Sequence, residues 1–103
     1  MIKDFEVQVK ELFTEVYGVD FRERAGKLKE ECLELVETID NLSVCPKDGE
    51  LDMFIDELSD TLAVLTHVTA LLNMTNDELL LIALKKTKNR IKSPDFVIKK
   101  GKI

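Results

Sequence analysis

Residues 53–71 read MFIDELSDTLAVLTHVTAL, and where this run places Glu57 and Asp60 decides the architecture. An α-helix turns about 100° per residue. On that wheel Met53, Glu57, Asp60, Val64, His67 and Leu71 share a stripe about 80° wide. Leu51, Phe54, Ile55, Leu58, Leu62 and Leu65 form an apolar stripe beside it, and the small residues Ser59, Ala63 and Ala70 take much of the remaining surface. The periodicity predicts a helix over roughly 50–73. Glu57 and Asp60 are three residues apart and therefore share a face. Among apolar side chains, such acids are expected to be paired or metal-bound.

Upstream, residues 42–49 contain Ser43, Pro46, Asp48 and Gly49 and read as a loop. Before it, Asp20-Phe21-Arg22-Glu23 has the form of a capping box and opens a helix over roughly 21–41. Leu28, Cys32, Leu35, Val36 and Ile39 make its apolar stripe. A second acid pair, Glu31 and Glu34, lies on this helix. With Leu28 at zero, the stripe spans about −20° to +80°, Glu31 falls near −60° and Glu34 near −120°. Both flank the core. Glu30 and Glu37 lie about 160–180° away, toward solvent, so Glu31 rather than Glu30 is the inward ligand. An earlier helix runs over roughly 2–17, with Phe5, Val9, Leu12, Phe13 and Val16 at helical spacing, and Gly18 ends it. Thr75-Asn76-Asp77-Glu78 is another capping box. The helix it opens continues to about Lys92, where Ser93-Pro94 stops it. No strand pattern or repeat appears, so the expected fold is all-α, a four-helix bundle. Helices two and four are too apolar to stand alone, and self-association is expected.

The chain has 103 residues, enough for one domain but at the small end. Residues 1–94 form the expected domain and 95–103 a basic tail. The net charge of −5 hides an asymmetry, with −12 over residues 1–84 and +7 over 85–103. An acidic body with a basic end suits a site that holds cations and meets phosphates, or is a basic turn that complements a helix dipole followed by a solvated tail, the reading preferred beyond Ile98. No nucleic-acid polymer is expected as a partner. No run of about 18 apolar residues is present, so no membrane span is expected. The acidic, mixed stretch Met1 to Glu6 does not read as a signal peptide. Cys32 on a core face and Cys45 in a loop do not form a disulfide framework, which fits a reducing cytoplasm.

Four acids aimed at one place need a cation. Oxygen-only ligands select Mg²⁺, or Mn²⁺ in its place. One His and no Cys-x-x-Cys give a zinc site poor support. Mg²⁺ held by carboxylates keeps waters and recruits substrate phosphates.

Glu-Glu-x-x-Glu-Leu at Glu30 to Leu35, followed by Glu-Leu-x-Asp at Glu57 to Asp60, resembles the MazG-like, all-α nucleoside triphosphate pyrophosphohydrolases. Ala25 to Glu31 resembles that family's lead-in. Leu72 to Leu79 resembles its turn into the last helix, and Lys85-x-x-x-Asn89-x-x-Lys92-Ser93-Pro94 its basic close. The match covers roughly residues 22–94 and rests on order and spacing together. The resemblance implies hydrolysis of an NTP or dNTP to the monophosphate and pyrophosphate, with Glu31, Glu34, Glu57 and Asp60 as Mg²⁺ ligands. Glu34 is the first candidate to orient or deprotonate the attacking water, and Glu30 the fallback. The family's subunits associate, so a homodimer or homotetramer is implied, and the first helix can complete a neighbour's pocket.

Lys85, Asn89 and Lys92 lie within about 60° of one another on the fourth helix, a face suited to triphosphate oxygens or simply a solvated basic turn. Lys86 and Arg90 make a lesser phosphate pair on another face. His67 either meets the substrate or is a buried, hydrogen-bonded residue. Lys27, one turn before Glu31, reaches a phosphate or pairs with that glutamate, and pairing is preferred. With no Trp, one Tyr and five Phe, the base preference stays open, and Phe5, Phe13 and Phe21 read as core at least as readily as pocket. Phosphoribosyl-ATP pyrophosphohydrolase is the close rival within the enzyme class. From outside it comes a noncatalytic helical interaction module whose acids form a scaffold.

Overall fold

Two of the helices begin at the caps named above, Asp20 and Thr75. In the computed structural model, which describes residues 4–93, α1 spans Phe5–Tyr17 and starts where the Asp4 side chain accepts from the Val7 amide at 2.9 Å. That cap sets the start three residues later than the periodicity predicts. Residues 1–3 and the expected tail 95–103, with Pro94 before it, lie outside the described residues. Gly18 closes α1 with φ +82°, a left-handed value that only glycine adopts without strain. Asp20 accepts from the Glu23 amide at 3.2 Å and opens α2, Phe21–Asp40.

The loop after α2 is fastened by Ser43, whose amide and hydroxyl donate to Glu50 at 3.0 and 2.7 Å. The next helix, α3, spans Asp48–Leu71. It starts two residues before the predicted bound, with Asp48 and Glu50 in its first turn, where acids meet the positive end of the helix dipole. Asn73 turns the chain with φ +57°, which asparagine tolerates better than most residues. Thr75 accepts from the Glu78 amide at 3.1 Å and opens α4, Asn76–Ile91. The described residues are all-α, with four helices and no strand.

Residues 4–73 belong to one compact unit and 74–93 to another. Within the first, α3 packs on both α2 and α1. A hydroxyl sits where α2 and α3 meet. Thr61 Oγ1 donates to the Glu57 carbonyl at 2.9 Å and stands 3.4 Å from the Glu31 carbonyl across the interface.

The core departs from the sequence reading. Among the described residues only Val64 and Val68 are buried hydrophobics, alongside Arg24, Glu31, Thr66, His67 and Thr69. Thr66 and Thr69 satisfy their hydroxyls on the carbonyls of Leu62 and Leu65, both at 2.8 Å, as threonines inside helices commonly do. Cys32, Val36 and Ile39, expected on a core face, are exposed, and so are Leu51, Ile55, Leu58 and Leu62. A helix buries only the arc that faces its neighbours. On α3 the buried residues are Val64, Thr66, His67, Val68 and Thr69, and Phe54 and Leu65 of the adjoining stripe are half-buried while its other members are exposed. Within the second unit, α4 exposes Leu80, Leu81, Ile82, Leu84 and Ile91.

Candidate metal centre and adjoining cleft

Glu31 comes from the middle of α2, and Glu57 and Asp60 from the first half of α3. One carboxylate oxygen from each lies within 4.8 Å of the other two. Glu31 is buried, Glu57 half-buried and Asp60 exposed, so the group grades from interior to solvent. Of the four acids predicted to converge, these three do. Glu34 is exposed and stands beside Glu31 and Glu57, close enough to bear on the charge of both, but outside the three-way cluster.

The cluster is electrostatically incomplete. Glu31 Oε2 and Glu57 Oε1 are enclosed and have no hydrogen-bond partner. As two carboxylates they are acceptors with nothing to accept from. A proton held between them resolves this. Facing Glu31, and then losing hydration and facing Glu34, pushes the Glu57 carboxyl up from its ordinary value of 4.5 to about 7. Glu31 moves the other way, below the usual range, because Glu57 supports its charge and Lys27 adds to that against the cost of burial. This is the behaviour of like charges that cannot both ionise without help. A divalent cation would serve in place of the proton. The all-oxygen donor set and the two orphaned oxygens fit a hard cation.

Lys27, one turn before Glu31, pairs with it at 3.2 Å and with Glu30 at 3.5 Å. Pairing is thus the role the structure gives it, and Glu31 is the first cause of its raised pKa. Glu30 is exposed, on the solvent side as expected. His67 is fully buried, and its Nδ1 accepts from Arg24 Nε at 3.2 Å. Burial, then the neighbouring guanidinium, push its pKa below 6.5, and the Gly18 backbone offsets this in part without forming a hydrogen bond to the enclosed Nε2. Lys85, Asn89 and Lys92 are exposed at the C-terminal end of α4, in the second unit.

Beside the acids a cleft of about 250 Å³ is lined by Phe13, Tyr17, Arg24, Lys27, Glu31, Asp60, Ala63 and Val64. It sets two aromatics of α1 and two cations of α2 against the carboxylates. Phe13 and Tyr17 pack edge to face with ring centres 5.2 Å apart, and the Arg24 guanidinium lies 4.5 Å from the centre of the Tyr17 ring. Arg24 and Tyr17 were not among the predicted site residues. The signal for Arg24 was present. It precedes Glu31 by seven residues, which places it about 20° away on the same helix face. Tyr17 follows Phe13 by four, but no rule of spacing says which helix that pair faces.

No protein-family model, curated protein or solved structure matches this chain.

Proposed function

We propose that this chain is a Mg²⁺-dependent nucleotide pyrophosphohydrolase that converts an NTP or dNTP and water to the monophosphate and pyrophosphate. The observation that carries this reading is the trio of Glu31, Glu57 and Asp60, with oxygens within 4.8 Å of one another, two of which line a cleft that also holds Arg24 and two aromatic rings. The sequence resemblance to the MazG-like pyrophosphohydrolases supports it, as does the chemistry of hard cations, which bind carboxylates and phosphates together.

When bound, Mg²⁺ offsets charge on phosphate oxygens and lowers the pKa of a water. The chain's own residues do the rest. Glu31, Glu57 and Asp60 would hold the cation. Glu34, exposed beside Glu57, takes the proton of a water whose oxygen bonds to the α-phosphorus as the α–β bridging bond breaks. The electron pair of that bond leaves with pyrophosphate. Lys85, Asn89 and Lys92, in the second unit, are further candidates of this chain for phosphate oxygens.

That enzyme is a homodimer or homotetramer of four-helix subunits in the cytoplasm. Association is supported by the α3 stripe of Leu51, Ile55, Leu58 and Leu62, spaced four, three and four residues apart and exposed throughout. A chain with two buried hydrophobics among its described residues and so many exposed ones gains stability by covering them.

The test is pyrophosphate release from a panel of NTPs, dNTPs and phosphoribosyl-ATP with Mg²⁺. Release from one or more NTPs or dNTPs is expected. Release from phosphoribosyl-ATP alone would transfer the reading to that rival. No release from any of them by folded, metal-loaded protein would leave the noncatalytic module.

A further inference from the structure

Arg24 is an anomaly in the first unit. It is 4% exposed, yet it pairs with no carboxylate among the described residues. A buried cation without a counter-charge is costly. Its neighbours in the cleft do not relieve it. Glu31 is already paired with Lys27 at 3.2 Å, and Asp60 belongs to the acid trio. What Arg24 does have is orientation from three helices. Its backbone is in α2, its Nε donates to His67 Nδ1 of α3 at 3.2 Å, and Tyr17 of α1 stacks under its guanidinium at 4.5 Å. His67 is itself fixed, fully buried and edge-on to the Phe13 ring with centres 5.9 Å apart.

One Nε–H and one face of the guanidinium are therefore committed. Neither Nη donates to a described residue, and Arg24 lines the cleft. The Nη edge is the fork that matches two oxygens of one anion. A bare anion is a poor candidate, because Glu31 and Asp60 line the same cleft and would repel it. An anion that arrives with a divalent cation is not repelled, since the acids take the cation and Arg24 takes oxygens the cation leaves over.

We propose that Arg24 is the phosphate anchor of this site, gripping the polyphosphate chain of a Mg²⁺-bound nucleotide through its Nη edge, and that His67 is a positioning residue that holds the guanidinium in line. This rests on the pyrophosphohydrolase reading for the nature of the ligand but not for its test. His67 accepts at Nδ1, so its ring proton sits on Nε2, away from Arg24. A side chain there without an acceptor leaves the guanidinium free to swing.

The probe is inorganic tripolyphosphate with Mg²⁺, added to the full wild-type chain. The chain has three arginines, at 22, 24 and 90, whose Nε–H signals in ¹H–¹⁵N spectra are assigned with Arg22→Lys and Arg90→Lys. The Arg24 signal is expected to shift saturably and the Arg22 signal to stay. Arg24→Lys, which keeps the charge and loses the fork, is expected to weaken tripolyphosphate tenfold or more. His67→Phe is expected to weaken tripolyphosphate while Mg²⁺ affinity holds, and His67→Gln, whose amide oxygen can accept from Nε, to restore part of it. An unmoved Arg24 signal in the wild type overturns the proposal even if the variants do not fold. So does Arg24→Lys binding as the wild type does, or a nucleoside without phosphates binding as tightly as the nucleotide. If tripolyphosphate binding depends on Arg24 while no nucleotide is hydrolysed, the anchor stands and the hydrolase reading falls. If hydrolysis in Arg24→Lys keeps the wild-type KM, the anchor falls alone.

Discussion

Arg24 and His67, 43 residues apart in the chain, meet in the interior through a single hydrogen bond of 3.2 Å from Nε to Nδ1. The bond requires a neutral imidazole, because a protonated ring has no lone pair to offer and would face a guanidinium.

The pH dependence of stability follows. The folded pKa of His67 is depressed below 6.5 by burial first and Arg24 second. The unfolded chain therefore binds the proton more readily, and this group's contribution is full above 6.5 and lost as pH falls toward the folded value. In metal-free protein, thermal midpoints of the wild type minus those of His67→Gln should decline from pH 7 to pH 5. A flat difference would contradict the buried, neutral ring.

Glu57 should show the opposite sign. Its folded pKa is raised to about 7 from 4.5, chiefly by Glu31, so the folded state holds the proton that the unfolded state releases. Its contribution is present below 4.5 and lost as pH rises toward 7. Wild-type minus Glu57→Gln midpoints in metal-free protein should fall over that window. Mg²⁺ binding near pH 6.5 should also release protons, seen as a buffer-dependent enthalpy in calorimetry, and Glu57→Gln should remove most of that release.

Metal should stabilise the fold. A ligand that binds only the folded state adds about 2.7 kcal/mol at a hundred times its Kd. Titrating Mg²⁺ should raise the midpoint and chelator should reverse it. Glu31→Gln, Glu57→Gln and Asp60→Asn should each lose the rise. Each should cut pyrophosphate release by at least the roughly 10–100-fold seen when a hydrogen-bond partner of a metal ligand is removed. Glu34→Gln should cut turnover while keeping the metal-induced rise, which separates a base from a ligand.

Thr61 joins the two acid-bearing helices, donating to the Glu57 carbonyl at 2.9 Å and standing 3.4 Å from the Glu31 carbonyl. Thr61→Val keeps the shape and removes the hydroxyl. It should destabilise by about 1 kcal/mol in chemical denaturation and weaken Mg²⁺ binding, because the two carboxylates lose a shared reference.

The interior and the exposed stripe should respond differently. Val64→Ala removes buried methyl groups and should cost about 2 kcal/mol. Leu58→Ser with Leu62→Ser alters side chains that are 45% and 55% exposed. In the isolated subunit that pair should change stability little. In light scattering it should shift the chain toward monomer. An unchanged molecular mass would remove this stripe from the association surface.

The starts of α2 and α4 were legible in the sequence because their caps are local. Asp20 and Thr75 cap where their spacing to Glu23 and Glu78 says they should, and Gly18 closes α1 with a positive φ. The acid pairs were legible for the same reason, since residues three apart share a face whatever surrounds the helix. The core was not. Cys32, Val36 and Leu58 are as apolar as residues that get buried, yet they are exposed. Hydrophobicity marks a face that needs covering, not which element covers it.

By itself, then, the sequence determined four helices, the caps of two of them, and an i,i+3 pair of acids on each of two. Each of these depends on a few consecutive residues and on the pitch of one helix. Only the tertiary structure decided that Glu31, Glu57 and Asp60 converge while Glu34 stands beside them. Only it brought Arg24, His67 and Tyr17 together from three helices. A helical period gives an angle around one axis. How two axes are rotated and offset against each other is set by packing, here by contacts such as Thr61 between α2 and α3. That offset is what gathers carboxylates from two helices into one group and leaves a buried arginine facing a cleft.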